Sequence, residues 1–288
     1  KVLRDIVRHL YYPDSPYEFS VVSSDILGQV YEQFLGQVIR LTPAGRAEVE
    51  DKPAVRKAGG VFYTPTFIVA YIVARTIGRL LEGKTPKEVA LLRFLDPACG
   101  SGSFLIAVFQ YLLDWHLTYY IEDGPEKHAR GRPPRVYQTA GGAWRLTGDE
   151  KKRILLNNIY GVDIDAQAVE VTKLSLVLKV LEGETEESLG SQLGLFHERV
   201  LPDLGNNIKC GNSLVSPQDF YGTHQPSLLG EDELYRVNPF DWKAEFPQVF
   251  TGADPGFDVV LGNPPYIRIQ TMKEWAPVEV EFYKQRYV

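Results

Sequence analysis

Apolar residues recur at helical spacing over Ile26, Leu27, Val30, Tyr31, Phe34 and Leu35, behind a cap offered by Ser23, Ser24 and Asp25. The spacing predicts a helical region over roughly Lys1 to Leu41. Ala44 to Lys57 is polar and reads as a surface loop. A second helix is predicted from Thr64, as cap, with Pro65 in its first turn, through Ile68, Ile72 and Ile77 to about Leu81. Glu82 to Lys87 reads as a turn.

The pattern then changes. Leu91 to Leu95 is a short apolar run ending at Asp96-Pro97, which predicts a buried strand. A glycine-rich turn leads into a helix from about Ser103 to Tyr119. Ile159 to Asp163, Asn207 to Cys210 and Phe257 to Gly262 are three further strand candidates. A short helix is predicted over Asp149 to Asn157. A longer amphipathic helix is predicted over Asp165 to Leu181, with Val169, Leu174, Leu176, Val177 and Leu178 available for burial. Strands that alternate with helices and end in acids or glycines predict an α/β fold, a doubly wound and mostly parallel sheet. Glu122 to Thr147 interrupts this rhythm. It is polar and rich in Gly, Pro and Arg, and Gly141-Gly142 between two short runs predicts a hairpin there. Residues 1–58 are expected to form an N-terminal helical region and residues 59–288 the core. The chain stops soon after its fourth strand, so a fragment of a longer protein is expected.

Composition narrows the function only a little. Hydrophobic residues make up 44% and charged residues 24% of the 288 positions, which is ordinary for a globular chain. The most apolar run, Val69 to Ile77, contains Arg75 and is far shorter than a membrane span of about 20 residues. Two cysteines, Cys99 and Cys210, fit reduced thiols in a cytoplasmic protein. The five histidines are scattered, so no zinc site is expected. A net charge of −6 argues against a surface dedicated to phosphate binding.

Four short stretches carry candidate chemistry. In Asp96-Pro97-Ala98-Cys99-Gly100-Ser101-Gly102-Ser103-Phe104 the glycines allow close backbone approach to a ligand, and the helix start offers free N–H groups. The acid ahead of the turn suits a cationic amino-acid end and not a pyrophosphate. In Gly161-Val162-Asp163-Ile164-Asp165 an acid at a strand end can accept from both hydroxyls of a ribose. Asp165 reads as a helix cap. Asn212, followed by Ser213, could meet an adenine edge, although a Gly-Asn turn suits any loop.

The fourth stretch is Asn263-Pro264-Pro265-Tyr266, directly after an apolar strand. Neither proline nitrogen can donate, so the box presents acceptors, the Asn263 side-chain oxygen and the Pro264 carbonyl. Two acceptors suit an exocyclic NH₂, and Tyr266 can stack on a planar ring. Amide acceptors draw electron density onto the amino nitrogen as it attacks a methyl-cation equivalent. The alternative is a Pro-Pro turn that only ends a strand.

These residues resemble the amino-methylating DNA methyltransferases. Asp96 to Phe104 matches motif I of that family, Asp163 the acid of motif II, Gly211-Asn212 the place of motif III, and Asn263 to Tyr266 the adenine form of motif IV. Gly60 to Pro65 looks like motif X, placed first, which is the gamma order. Asn212 departs from the commoner acid of motif III. The resemblance implies S-adenosyl-L-methionine as cofactor, with Asp96, Ala98, Gly100, Gly102, Asp163, Ile164, Asn212 and Ser213 around it and Tyr63, Thr64 and Pro65 closing over its methionine end. It implies double-stranded DNA as partner, with a flipped adenine meeting Asn263, Pro264, Pro265 and Tyr266. The chain is closer still to the Eco57I-like, type IIG restriction–modification group, in Ile26 to Gly36, Gly59 to Pro65, Tyr160 to Asp165 and Phe257 to Arg268. That similarity implies nuclease and target-recognition domains on the same longer polypeptide. A protein glutamine methyltransferase, an RNA base methyltransferase and a non-catalytic modification or specificity subunit are the competing readings.

Overall fold

The computed structural model describes residues 37–41, 46–51, 64–183, 202–223 and 236–287. In chain order the elements are β1 (Gln37–Leu41), β2 (Ala47–Asp51), α1 (Thr66–Leu81), α2 (Pro86–Val89), β3 (Phe94–Asp96) and α3 (Ser103–Glu122). Then come α4 (Pro125–Ala129), β4 (Val136–Gln138), β5 (Trp144–Leu146), α5 (Gly148–Asn158), β6 (Ile159–Asp163), α6 (Ala166–Leu181) and β7 (Ile208–Cys210). The chain ends with α7 (Pro217–Thr223), α8 (Trp242–Glu245), α9 (Pro247–Phe250), β8 (Val259–Val260), α10 (Ile269–Trp275) and α11 (Pro277–Tyr287).

Four strands form one sheet in the order β7-β6-β3-β8, and every pairing in it is parallel. The doubly wound α/β expectation holds. From β3 the chain steps outward through β6 to β7, then crosses back to place β8 on the other side of β3. The strand order therefore reverses between β3 and β8. In sheets of this kind a crevice opens at that point, beyond the carboxyl ends of the strands.

Side chains that alternate along the strands enter two different cores, as the pleat requires. Phe94, Ile159 and Ile208 join a large cluster with α1, α3, α5 and α6, whereas Leu95, Tyr160 and Val162 join Phe240, Phe246 and Val249. Helix α3 buries Phe104, Leu105, Ile106, Val108, Phe109, Leu112 and Leu113, so it is covered nearly all round. Helix α1 covers its outer side and buries Val69, Val73, Ile77 and Leu81 at a four-residue spacing.

Several expectations need correction. Helix was expected through Leu41 and loop from Ala44 to Lys57, but Gln37–Leu41 and Ala47–Asp51 pair as an antiparallel hairpin. The paired runs carry β-branched Val38, Ile39 and Val49, and strand propensity outweighs helical periodicity there. The helix predicted over Ser23 to Leu35 falls outside the described residues. The turn over Glu82 to Lys87 is cut short by α2, which Thr85 and Glu88 close with a reciprocal capping box. Leu91 is exposed, and the first strand of the sheet starts only at Phe94. On α6, Val169 and Leu176 are buried as expected, but Leu174 and Leu178 face outward.

The Glu122–Thr147 interruption holds the predicted hairpin, β4 against β5, with Val136 and Leu146 buried in the main core. Helix α3 reaches three residues further than expected and ends on Glu122 itself. A buried carboxylate, Glu150 on α5, pins the hairpin's base. It accepts from Tyr120 (2.6 Å) and from Arg153 Nη2 (2.6 Å) and Nε (2.9 Å), and it pairs with Arg135.

Candidate active site

The end of β3 carries Asp96, whose side chain is 1% exposed. Its Oδ1 accepts from the Ala98 N–H at 3.0 Å, which starts the turn. Burial pushes the Asp96 carboxyl up to about 7; the Ala98 hydrogen bond opposes this and the nearby Asp163 charge adds to it. The turn closes with Gly102 N–H on the Cys99 carbonyl at 2.8 Å. Gly102 sits at φ 87° as the residue before α3, and a β-carbon there would lie 2.9 Å from Thr172 Cγ2. Only glycine fits both demands. Thr172 also donates to the Gly100 carbonyl at 2.8 Å, so α6 braces the loop. Ala98, within this turn, is half-buried.

Asp163 ends β6 and ties the same loop to the next helix. Its Oδ2 accepts from Gly100 N–H at 2.7 Å and its Oδ1 from Asp165 N–H at 2.9 Å. Burial raises its carboxyl, against these backbone donors. Asp165 is the cap of α6, accepting from Gln167 N–H at 2.9 Å, as the sequence predicts. Ile164 between them is 52% exposed, an apolar surface at the strand's end. Among the described residues neither Asp96 nor Asp163 pairs with a cation.

Asn212 follows β7 and is buried. Its Oδ1 accepts from Leu214 N–H at 3.1 Å and its Nδ2 donates to the Tyr283 hydroxyl at 3.2 Å. Its carboxamide is thus held by its own turn and by α11. Ser213 is half-buried next to it, and its carbonyl accepts from the Trp242 indole at 3.2 Å.

The fourth stretch leaves β8 at Leu261, whose N–H donates to the Leu95 carbonyl at 2.9 Å. Gly262 then passes directly over Asp96, and a β-carbon on it would lie 2.9 Å from Asp96 Cγ. Asn263 is half-buried, while Pro264, Pro265 and Tyr266 are exposed, Tyr266 by 73%. Asn263 Nδ2 donates to Thr64 Oγ1 at 3.0 Å. That contact corrects the expected role of Thr64 as a helix cap. The cap residue is Pro65, and α1 has no side-chain cap, because the hydroxyl points instead to Asn263. Pro65 carries the first helical acceptor, its carbonyl taking Ile68 N–H at 2.8 Å. Tyr63 lies outside the described residues. Beside Thr64 a cleft of about 300 Å³ runs between α1 and α3, lined by Thr66, Val69, Ser103, Ile106 and Lys179 among others.

All four stretches therefore meet at the carboxyl edge of one sheet, and the first lies against Gly262, the residue ahead of the fourth, at the β3–β8 switch point. The sequence reading did not single out Thr172, Tyr283 or Gly262. A polar threonine on the buried face of a predicted helix was the available signal for Thr172. Tyr283 lies on a helix that no strand or glycine pattern announced.

The profile of the N-6 DNA Methylase family matches residues 22–195, more than half of the chain. The chain belongs to the N-6 DNA methylase family. A second profile, Eco57I restriction-modification methylase, matches residues 157–288, and the overlap of the two spans β6 and α6. As a methylase-family chain it is similar to the type II restriction enzyme and methyltransferase RM.Eco57I of Escherichia coli, 35% identical over 98% of this chain and 25% of that protein. It is also similar to the adenine-specific methyltransferase PglX of Streptomyces coelicolor, 26% identical over 75% of this chain and 15% of that protein. The chain thus spans a quarter or less of the length of these relatives.

Proposed function

We propose that this chain is the catalytic core of a site-specific DNA adenine-N6 methyltransferase, working within a restriction–modification enzyme. The observation that carries the reading is the Asn263 to Tyr266 box beyond β8, half-buried at Asn263 and exposed from Pro264 to Tyr266, introduced by Gly262, which lies against Asp96. Acceptors for an amino group and a buried acid stand side by side at the switch point.

The residues fit S-adenosyl-L-methionine. Asp96 is buried and Asp163 half-buried, and among the described residues neither has a cation partner, which suits a cationic ligand; the left-handed Gly100 and Gly102 let backbone come close to it. In this reading Asp163 faces the ribose hydroxyls, Ile164 the adenine face, Asn212 and Ser213 the adenine edge. Asp96, Ala98, Gly100 and Gly102 surround the methionine end, with Tyr63, Thr64 and Pro65 above it. When bound, the cofactor supplies an electrophilic methyl group.

The chain's own work is then done at the target base. Asn263 Oδ1 and the Pro264 carbonyl accept from the two N–H donors of an exocyclic amine, which fixes its orientation and draws electron density onto nitrogen. Pro265 holds the backbone of the box, and Tyr266 offers its face to the flipped ring. No strong base is needed ahead of attack.

The net charge of −6 fits a core whose grip on double-stranded DNA comes largely from other domains. The great length of RM.Eco57I relative to this chain supports nuclease and target-recognition domains on one longer polypeptide. A cytoplasmic setting goes with a DNA substrate, and no helix among the described residues is long and apolar enough to cross a membrane. The test is Asn263→Ala in the full-length enzyme. It should abolish transfer to DNA and leave cofactor affinity intact; transfer at the wild-type rate would sink the acceptor reading.

A further inference from the structure

We infer that Thr64 is a positioning residue for the target-amine acceptor: its hydroxyl accepts from Asn263 Nδ2 and holds the carboxamide against the start of α1 with Oδ1 left for the substrate. The inference rests on the adenine-methyltransferase reading and adds a part to its machinery. A carboxamide has one acceptor end and one donor end. With Nδ2 held on Thr64 Oγ1 at 3.0 Å, Oδ1 is the end left for a ligand, and among the described residues no donor reaches it. Turned by half a rotation, the amide would present N–H donors to an amine that is itself a donor. The acceptor pair with the Pro264 carbonyl would then be lost.

Three features suit Thr64 to this task. Its hydroxyl is spare, because α1 starts on Pro65 without a side-chain cap. Its place is firm, because Pro65 at φ −52° joins it to a helix anchored in the core by Val69, Val73, Ile77 and Leu81. Asn263, in contrast, follows a two-residue strand and precedes three exposed residues, so its amide has little else to orient it. A reacting group carried on a short strand gains its precision from a partner on a rigid element.

The test uses the full-length enzyme with Thr64→Val, which keeps the shape and removes the hydroxyl, and Thr64→Ser, which restores it. Methyl transfer to plasmid DNA is followed in a single turnover, S-adenosylhomocysteine affinity by calorimetry, and folding by thermal midpoint. Thr64→Val should slow transfer by roughly tenfold to a hundredfold, the scale of a misplaced reacting group. Its midpoint should match wild type, since no helix cap is lost, and the loss of rate should persist at saturating cofactor, where a weaker hold on the methionine end no longer counts. Thr64→Ser should recover most of the rate. Wild-type transfer by Thr64→Val, or a rate loss that disappears at saturating cofactor, would overturn the inference. An unmodified enzyme that leaves DNA unlabelled would overturn the adenine reading and this inference with it, so the two failures are told apart by the wild-type lane.

Discussion

The Asp96 carboxylate lies where a side chain on Gly262 would begin, with Asp96 Cγ 2.9 Å from the position of that missing β-carbon. The residue proposed to face the cofactor and the residue that introduces the proposed acceptor box are therefore in contact across β3 and β8. Gly262→Ala should push the box off the sheet or the carboxylate out of its place. Overpacking of this kind costs about 1–3 kcal/mol. Transfer should fall far more than cofactor affinity does, read by single-turnover kinetics beside calorimetry. Equal losses in both would mean that the contact does not reach the box.

Asp96 also predicts a pH dependence. Burial holds its carboxyl at about 7, against about 4 in an unfolded chain. Between those values the folded protein carries the extra proton, so stability without cofactor falls as pH rises from about 4 to about 7. A cationic ligand needs the ionised form. Cofactor affinity should therefore rise from pH 6 to pH 8, with proton release seen as a buffer-dependent heat of binding. Asp163 is raised as well, so the released proton belongs to the pair. Asp96→Asn should flatten most of the dependence, and a wild-type affinity equal at both pH values would remove Asp96 from the cationic end.

Asp163 holds two backbone N–H groups and, in the proposed reading, the ribose hydroxyls as well. Asp163→Ala should weaken S-adenosylhomocysteine binding by about 1–3 kcal/mol, the scale of hydrogen-bonding groups left unpaired. Calorimetry reads this directly, and unchanged affinity would show that the carboxylate serves only the loop.

Glu150 makes a prediction about stability alone. Burial would raise its carboxyl, but hydrogen bonds from Arg153 and Tyr120 and the Arg135 contact bring it down to about 2. Its contribution is thus present at neutral pH and lost as pH falls below about 4 toward 2. Glu150→Gln should cost about 3 kcal/mol, the lower end for breaking a buried pair, because both arginines partly reach solvent. A lower thermal midpoint with faster proteolysis near the β4–β5 hairpin is expected. A wild-type midpoint would leave the hairpin pinned by Val136 and Leu146 instead.

The sheet was legible because buried parallel strands are short apolar runs, and each one here ends in a residue with marked chemistry: Asp96, Asp163, Asn212 close to Cys210, and Asn263 beyond Val260. The four candidate stretches meet where strand order predicts. Thr64 was found but misassigned, since local sequence proposes a cap and only the fold brings Asn263 within reach from 199 positions away. Gly262 was legible as part of an apolar run, but its need to be glycine lies in Asp96, on another strand. The β1–β2 hairpin was missed because helical spacing upstream of Leu41 runs straight into it. Helices α7 to α11 were missed because each is short or polar and carries no periodic stripe; α11, for example, mixes Glu279, Glu281, Lys284 and Arg286 with its apolar residues.

The most direct measurement gives the full-length enzyme labelled S-adenosyl-L-methionine with DNA, RNA and protein side by side, then digests the DNA to nucleosides. The account predicts label in N6-methyladenine from DNA, absent with Asn263→Ala. Label confined to RNA or protein, or no transfer by an enzyme that binds the cofactor, would contradict it.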